Sequence, residues 1–450
     1  MDKKKVIASL AYKFIERLSV KGLGLVVSIV LARLLAPEYF GQIAIMNVFI
    51  NLALAVVCFV VLQVAAPLIS GYYEQDITKP LQIYAITLFF NAFNALQMAR
   101  MQKRMEFRKI MLCSLAATVI SGTAGIVAAY CGLGLWALIL YNMMHGVIVC
   151  ITAAFAEKWL PKFEFSLHRA KGLFSYGWKM FVSAVLCSLY ADIRSLVIGK
   201  KFSNDDLAYY NRGQQFPDVI SHTLDTSIQS VLFPTMASVQ DDKEKLRKML
   251  RRAETMGAYV IVPIMFGLAA VSEPVVQLLL TEKWLPCVHY MQWLCIANAA
   301  IPIISSNLIA IKASGRSDIY MRMEIIRRIV MLMVLLTSIF AFETVEAIAV
   351  GFCISNWLDA IISAIPAKRL VGYGVGRQFA DLWKILVAAG VMFAVVLAMN
   401  MLPWHSVVLL IAQIFAGVAV YLGLGLAIRI EPQKDLIDLI LKLLGGKKHA

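Results

Sequence analysis

Charged residues inside the apolar segments of this chain are its strongest candidates for chemistry, because a charge within a membrane helix is costly and usually faces a cavity. One apolar segment near the start carries Lys13, Arg17 and Lys21. Their i, i+4, i+8 spacing places them on one helical face, where fixed cations would suit an anionic group. The alternative, stronger for Lys13 than for the deeper Lys21, is that the lysines snorkel to the membrane surface.

Three further cations extend this set. Arg33 lies near the outer end of the same helix, where the snorkelling and cavity-facing interpretations are equally open. Lys179 and Arg194 are fifteen residues apart on the helix predicted at 175–198, roughly 22 Å along its axis, and could mark the two ends of a cationic path. Asp192 lies beside Arg194 and either neutralises it in a structural pair or takes part in ion coupling.

Two acids and a histidine share one face of the next predicted helix. Asp218, His222 and Asp225 are spaced i, i+4, i+7, and carboxylates beside a histidine are typical of a proton or sodium relay. The alternative is that these residues only make a solvated helix face near a polar vestibule, because several serines and threonines lie close by. The sequence therefore predicts coupling to H+ or Na+, with no other cofactor, through three residues: Asp192, Asp218 and Asp225.

Motifs for catalysis or metal binding do not accompany these residues in the sequence. There is no G-x-x-x-x-G-K-[ST] loop, which argues against an ATP-driven pump, and no H-E-x-x-H pair. The eight cysteines form no C-x-x-C or Cys/His set and are interpreted as small core residues. We therefore predict no catalytic residues, no metal site and no enzyme activity.

The composition defines the elements that must position the charges. Of 450 residues, 60% are hydrophobic and only 16% are charged, against about 25% charged in soluble domains. The net charge of +15 comes from short clusters of Lys and Arg between apolar runs. This is the positive-inside pattern of a polytopic membrane protein rather than a nucleic-acid-binding surface.

The basic clusters alternate with pairs of apolar segments, which predicts five helical hairpins that enter and leave on the cytoplasmic side. Leu81–Met98 is predicted as one further span, and both termini are predicted to be cytoplasmic. Lys200, Lys201 and Arg212 fit the pattern poorly and are predicted to rim a vestibule on the outer side. The predicted hairpin turns lie near Cys131–Gly134, Lys200–Arg212, Thr281–Pro286, Phe342–Glu346 and Met401–His405.

The stretch Tyr39–Tyr73 is uncharged over thirty-five residues, too long for one membrane pass and too short for two. An internal repeat pairs "LARLLAPEYFGQ" with "IGKKFSNDDLAYY" at an offset of 167, and by this repeat the first half is about 40 residues short. We predict two helices fused across a deletion near Ile50–Asn51. The alternative is a buried re-entrant hairpin around Asn47, Asn51 and Gln63.

The sequence resembles the bacterial polysaccharide transporter family, the oligosaccharide flippases of the multidrug/oligosaccharidyl-lipid/polysaccharide exporter superfamily. The resemblance covers nearly the whole chain through six segments in order: "LARLLAPEYFG", "LFSYGWKM", "IGKKFSNDDLAYYNRGQQFP", "SVLFPTMASVQDDKEKLRK", "LLLTEKWLP" and "KASGRSD". It implies an all-α polytopic membrane protein of about 12–14 transmembrane helices, with two facing lobes around a central cavity. The implied parts are a shortened N-terminal lobe at 1–160, a C-terminal lobe at 165–366, an extra helix pair at 383–429 and an amphipathic cytoplasmic tail at 430–450.

The resemblance implies a secondary transporter that flips undecaprenyl-pyrophosphate-linked oligosaccharide across the bacterial inner membrane for O-antigen, capsule or exopolysaccharide assembly. Its implied partners are the lipid-linked oligosaccharide, membrane lipid, and the polymerase and glycosyltransferases of the same pathway. Moving a pyrophosphate requires cations in the cavity, so the predicted substrate-binding residues are Arg17, Lys21, Arg33, Lys179 and Arg194.

Three other functions remain open at this point. A cation-coupled multidrug exporter of the same superfamily would be expected to have an acid-dominated cavity, whereas the candidates here are mostly basic. A membrane polymerase or glycosyltransferase would need a large catalytic loop, and the predicted outer loops are short. The shortfall of about 40 residues in the first half also raises the third alternative, that the protein is a truncated, inactive paralogue.

Overall fold

The computed structural model describes residues 30, 33, 55–74, 76–103, 106–157, 193–240, 242–402 and 406–434. Within these ranges the chain is helical and contains no strand, which confirms the predicted all-α class. The predictions made for Lys13, Arg17, Lys21, Lys179 and Asp192 lie outside the described residues.

The chain divides into two compact units, Met1–Asn211 and Arg212–Ala450. The predicted limits at 160–165, 366, 383 and 430 remain predictions. The first unit contains α1 (Ala55–Tyr73), α2 (Thr78–Tyr84), α3 (Thr87–Lys103), α4 (Phe107–Tyr130), α5 (Leu135–Glu157), the helical residues 193–201 and the start of α6 (Asn204–Ala237). The second unit contains the rest of α6 and then α7 (Lys243–Ala270), α8 (Ser272–Leu279), α9 (Cys287–Asn298), α10 (Ile301–Ala313), α11 (Ser317–Ala341), α12 (Val345–Val371), α13 (Val375–Ala398) and α14 (Ser406–Ala427).

Seven helical segments of the described chain are long and apolar enough to cross a membrane. They are Arg108–Tyr130, Leu135–Ala156, Lys243–Ala270, Cys287–Ala313, Val345–Val371, Val375–Met401 and Ser406–Ala427. Helices α6 and α11 are not among them, because polar and charged residues interrupt their apolar sequence. The protein is a polytopic helical membrane protein, while the predicted total of 12–14 spans includes segments outside the described residues.

Breaks between helices lie at or beside the five predicted hairpin turns. They separate α4 from α5, residues 193–201 from α6, α8 from α9, α11 from α12, and α13 from α14. The second break covers only residues 202–203, because α6 begins at Asn204, and residues 403–405 of the last turn lie outside the described residues. The membrane side of each turn remains a prediction. The first turn contains Gly132 and Gly134 at φ +77° and +53°, a backbone region that glycine enters without steric cost.

The predicted single span Leu81–Met98 is instead two helices, α2 and α3, joined through Ala85 and Ile86. Around the junction the hydrogen bonds tighten to the i to i+3 pattern, with Ile86 N bonded to Ile83 O at 3.1 Å. The Thr87 hydroxyl also donates to Tyr84 O at 2.7 Å. This side-chain bond competes with the regular helical pattern, so the segment tightens although it contains no glycine or proline.

Helix α1 covers the second half of the stretch Tyr39–Tyr73. Gln63 lies inside this helix, and its side-chain nitrogen donates to Gln82 O at 3.0 Å while Gln82 Nε2 donates to Gln63 O at 3.1 Å. Gln63 therefore lies in a helix, whereas Asn47 and Asn51, the other residues of the alternative hairpin, lie outside the described residues, so that alternative remains a prediction. The fusion point near Ile50–Asn51 lies outside the described residues and remains a prediction.

In the second unit, helices α6 and α9 approach each other closely at Gly213. A Cβ at this position would lie 2.9 Å from Cys287 O and 3.0 Å from Met291 N, closer than real side chains come. Only a residue without a side chain permits this approach. Gly213 therefore brings the polar residues that follow it on α6 within reach of α9.

Candidate functional site

A band of polar side chains runs along one side of α6 in the second unit. We call it the α6 polar track; its members are Gln214, Asp218, Ser221, His222, Asp225 and Gln229. Helix α6 begins with a capping box, in which Asp206 N donates to Ser203 Oγ at 3.0 Å and Ser203 N donates to Asp206 Oδ2 at 3.3 Å. Its 34 residues extend over about 51 Å at 1.5 Å per residue, so the polar track lies on a helix long enough to cross a bilayer.

Asp218 is the centre of the track. Its Oδ2 accepts a hydrogen bond from Gln214 Nε2 at 2.9 Å, and its Oδ1 accepts one from Asn298 Nδ2 at 2.8 Å. The same Asn298 nitrogen lies 3.1 Å from Ser221 Oγ. His222 Nε2 is 4.0 Å from Asp218 Oδ1, with side chains that are 55% and 30% exposed. The carboxylate is thus held by amides and keeps an accessible side next to a histidine.

Asp225 lies two turns further along and is buried. It accepts hydrogen bonds from Gln229 on the same helix and from the buried Ser305 hydroxyl of α10. A carboxylate removed from water requires such partners. The structure therefore brings the predicted pair Asp218 and Asp225 into one track, each tied to a different neighbouring helix.

Helix α12 positions the residue that binds Asp218. Helix α9 ends at Asn298, and the last carbonyl groups of a helix lack partners within it. Asn356 Nδ2 donates to Ala297 O at 3.3 Å, and Trp357 Nε1 donates to Ile296 O at 3.1 Å. These two side chains fix the end of α9, and with it the amide of Asn298.

Of the predicted substrate-binding cations, the structure describes Arg33 and Arg194, which both lie in the first unit. Arg194 Nη1 donates to the hydroxyl of the buried Tyr210 at 3.1 Å, and Arg33 is an exposed helical residue. Lys200 contacts the end of α1, where it binds Tyr72 O and lies 3.3 Å from Glu74 Oε1. The guanidinium of Arg194 is therefore held by the Tyr210 hydroxyl. The ammonium group of Lys200 contacts the C-terminal end of α1.

Arg212 does not lie at an exposed rim, so that prediction is wrong. It is buried, its Nη1 donates to Gln215 Oε1 at 2.6 Å, and its guanidinium lies 5.1 Å from the Trp284 ring centroid. An arginine can stack on an aromatic face because it is planar and weakly hydrated. Sequence spacing alone does not identify Trp284 as its neighbour.

A second charged cluster, not predicted from the sequence, joins α11 and α12. Arg327 and Asp359 form a bidentate pair with an Nη2–Oδ2 distance of 2.6 Å, and only 8% and 3% of these residues is exposed. Glu324 Oε2 accepts from Arg327 Nη1 at 2.9 Å, and Glu324 Oε1 accepts from Arg328 at 2.7 Å. Two arginines and two acids thus balance each other, which indicates a structural role.

Two solved structures of membrane transporters have a similar arrangement of helices. The chain is similar to the lipid II flippase MurJ in an inward closed conformation, with a TM-score of 0.69 and 13% identity, covering 96% of this chain and 98% of that one. It is also similar to an inward-facing multidrug resistance transporter of the MATE family, from the MOP superfamily, with a TM-score of 0.55 and 14% identity over 83% and 95% of the two chains. The chain therefore has the fold of this class of transporter.

Residues 50–289, more than half of the chain, match the family of polysaccharide biosynthesis proteins. The chain belongs to this family. Its relatives include the succinoglycan biosynthesis transport protein ExoT of Rhizobium meliloti (strain 1021), 22% identical over 83% of this chain and 80% of that protein. The lipopolysaccharide biosynthesis protein WzxC of Escherichia coli (strain K12) is 24% identical over 85% of both chains. The teichuronic acid biosynthesis protein TuaB of Bacillus subtilis (strain 168) is 24% identical over 84% of this chain and 79% of that protein.

Proposed function

We propose that this protein flips a lipid-linked oligosaccharide, with undecaprenyl pyrophosphate as the lipid, across the bacterial inner membrane during polysaccharide assembly. The observation that carries the proposal is the α6 polar track, a row of hydrogen-bonding side chains that contacts α9 and α10, the two helices of an apolar membrane-spanning candidate. A glycan needs such donors and acceptors along its path, because each polar group that leaves water unpaired costs several kcal/mol. Family membership and the names of the relatives support a role in polysaccharide export.

We assign the proposed roles of the site residues from the sign of their charge. Arg194, together with Arg17, Lys21, Arg33 and Lys179, provides cations for the pyrophosphate. Asp218 and Asp225, together with Asp192, couple translocation to H+ or Na+, since this protein would act as a secondary transporter. The basic loops and both termini lie in the cytoplasm, and the polymerase and glycosyltransferases of the same pathway are its proposed partners.

Complementation provides the first test. The gene is expressed in a bacterial host that lacks its own oligosaccharide flippase, and surface polysaccharide is measured by immunoblotting. Restored polysaccharide supports the proposal. A well-expressed membrane protein that restores none, in hosts with several different repeat units, would favour the truncated inactive paralogue.

The role of Arg194 gives a specific prediction. Arg194→Ala is expected to lower translocation at least tenfold, because a charge-assisted hydrogen bond contributes about 1.5–3 kcal/mol. Arg194→Lys should restore part of the rate if a positive charge is what the pyrophosphate requires. Translocation is measured in proteoliposomes as the fraction of lipid-linked oligosaccharide that becomes accessible to an added glycosidase.

Tyr210→Phe is the matched control for that prediction. It removes the hydroxyl that accepts from Arg194 and leaves the arginine charge in place. If Tyr210→Phe slows translocation as much as Arg194→Ala does, then Arg194 acts by holding the end of its helix and does not bind substrate.

A second candidate function is a cation-coupled drug exporter of the same superfamily. The observation that favours it is that the charged side chains in the described track, Asp218 and Asp225, are both acids, which would suit a cationic drug. The distinguishing measurement is resistance to lipophilic cations in a host lacking its own exporters. Resistance without complementation of the flippase-deleted host would select this function.

A further inference from the structure

A cavity of about 410 Å³ lies at the ends of α7 and α13 in the second unit. Its lining residues are Arg247, Lys248, Arg251, Tyr373, Arg377, Ala380 and Asp381. Four of these seven residues are cations and only one is an acid. The composition of the lining therefore favours an anionic ligand, and this cavity is separate from the α6 polar track.

One side of the cavity is a fixed ion-pair network. Arg251 binds both carboxylate oxygens of Asp381, at 2.8 and 2.9 Å, and one oxygen of Glu431 at 3.1 Å. The Tyr373 hydroxyl donates to Asp381 Oδ2 at 2.8 Å. Burial raises the pKa of Tyr373, so its hydroxyl keeps the proton that it donates. The acid of the lining is thus paired by Arg251 and Tyr373, and with Glu431 this network carries one net negative charge. The lining contains three further cations, Arg247, Lys248 and Arg377, which outweigh it.

The other side presents cations. Lys248 forms an exposed pair with Glu244 at 2.8 Å, which is a weak interaction. Arg377 donates to Gly372 O at 3.2 Å. Arg247 interacts electrostatically with the exposed Glu244, but within the part of the chain that the structure describes neither Arg247 nor Arg377 lies within ion-pair distance of a carboxylate. These two arginines therefore remain available to bind an anion.

The backbone at the cavity explains why Arg377 is held there. Helix α12 ends at Gly372, in the left-handed conformation with φ +72°, and Tyr373 N closes the turn on Ala367 O at 3.3 Å. This is the hydrogen-bond pattern of a Schellman motif. The turn places Tyr373 just before α13 and Arg377 in its first turn, and both line the same cavity.

The cavity also lies at the level where two membrane spans begin. The candidate spans of α7 and α13 start at Lys243 and Val375, so the arginines lie where the apolar helices meet water. From Ala380 an exposed apolar stripe continues along α13 at helical spacing through Trp383, Val387 and Val391. Trp383 is 50% exposed, in the position typical of an aromatic residue at a membrane interface.

We propose that this cavity binds the phosphate headgroup of an anionic membrane phospholipid, with an acyl chain lying along the Trp383–Val391 stripe of α13. Arginines bind phosphate oxygens through two parallel hydrogen bonds, and basic cavities between membrane helices on the cytoplasmic side suit anionic headgroups. The continuity between the cationic cavity and the apolar stripe selects a lipid over a soluble anion. This site is additional to the translocation path and does not depend on the proposed transport activity.

The test uses the full-length protein in a neutral detergent. Binding of short-chain phosphatidylglycerol is measured by isothermal titration calorimetry, with phosphatidylcholine of the same chain length and inorganic phosphate as separate probes. The double variant Arg247→Gln/Arg377→Gln is expected to bind phosphatidylglycerol about 25-fold more weakly, because each cation near a membrane surface contributes about fivefold. If the double variant does not purify, Arg377→Gln alone should weaken binding about fivefold.

The matched control is Arg322→Gln/Arg369→Gln, which removes the same charge at two exposed arginines outside the cavity lining. This control is expected to bind phosphatidylglycerol like the native protein. Equal weakening in both double variants would show general charge attraction and overturn the site. Inorganic phosphate binding as tightly as phosphatidylglycerol would show a soluble-anion site and overturn the lipid assignment, as would equal binding of phosphatidylcholine.

Discussion

Replacement of Asp359 by alanine is expected to lower the free energy of unfolding by about 3–5 kcal/mol, because the buried Arg327 would lose its main partner. Both residues are almost completely buried, and the pair is bidentate. Glu324 would remain, but it is shared between Arg327 and Arg328 and cannot replace the lost carboxylate. Unfolding is measured by denaturant titration in mixed micelles, with tryptophan fluorescence as the signal.

Two further variants separate the charge effect from loss of packing. Arg327→Met/Asp359→Leu removes both charges and should recover most of the loss, because an apolar pair of similar volume is often as stable as a buried ion pair. Glu273→Ala removes an exposed acid at the start of α8 and should change stability by less than about 0.5 kcal/mol. If Asp359→Ala has no greater effect than Glu273→Ala, the pair does not stabilise the fold.

The Arg327–Asp359 pair also shows which information the sequence lacks. By sequence, Arg327 belongs to a cytoplasmic basic cluster, and Asp359 is a single acid in an apolar segment. The two residues meet because α11 and α12 form a hairpin in which Gly351 lets Ser338 approach; a Cβ on Gly351 would overlap the Ser338 hydroxyl. Helical periodicity predicts the face of one helix but not the register between two helices.

The hairpin turns could be predicted because their signals are local. Apolar runs of about twenty residues must end where glycine, proline or charged residues appear, and basic loops identify the cytoplasmic side. The turn at Cys131–Gly134 and the turn at Phe342–Glu346 both follow this rule. The junction between α2 and α3 has no such signal, because it depends on one threonine hydroxyl bonded to the preceding turn.

Only the part of the candidate site that lies on α6 could be predicted from the sequence. The i, i+4, i+7 spacing of Asp218, His222 and Asp225 placed them on one face of α6, and the structure confirms that face. Their partners Asn298 and Ser305 are about 80 residues away in sequence and come close only through packing of α6 against α9 and α10. A single sequence contains no signal for such pairings.

Asp225→Asn is expected to reduce ion-driven translocation at least tenfold while leaving the amount of folded protein unchanged. The amide has nearly the size of the carboxylate, its oxygen can still accept from Gln229, and the Ser305 hydroxyl can either donate to that oxygen or accept from the amide nitrogen, so the packing between α6 and α10 is preserved. What is lost is the negative charge, which a proton or a sodium ion must neutralise if Asp225 takes part in coupling. Translocation is measured in proteoliposomes under an imposed proton gradient and, separately, under a sodium gradient.

Asp205→Asn is the matched control, because it makes the same chemical change at an exposed position in the first turn of the same helix. It should leave the rate within about twofold of the native protein, since a surface substitution away from packing changes stability by at most about 0.5 kcal/mol. The gradient whose benefit disappears in Asp225→Asn identifies the coupling ion, and the rate without a gradient should be the same in both variants. A native rate for Asp225→Asn under both gradients would show that the buried carboxylate serves only to hold α6 against α10, and coupling would then have to reside elsewhere in the protein.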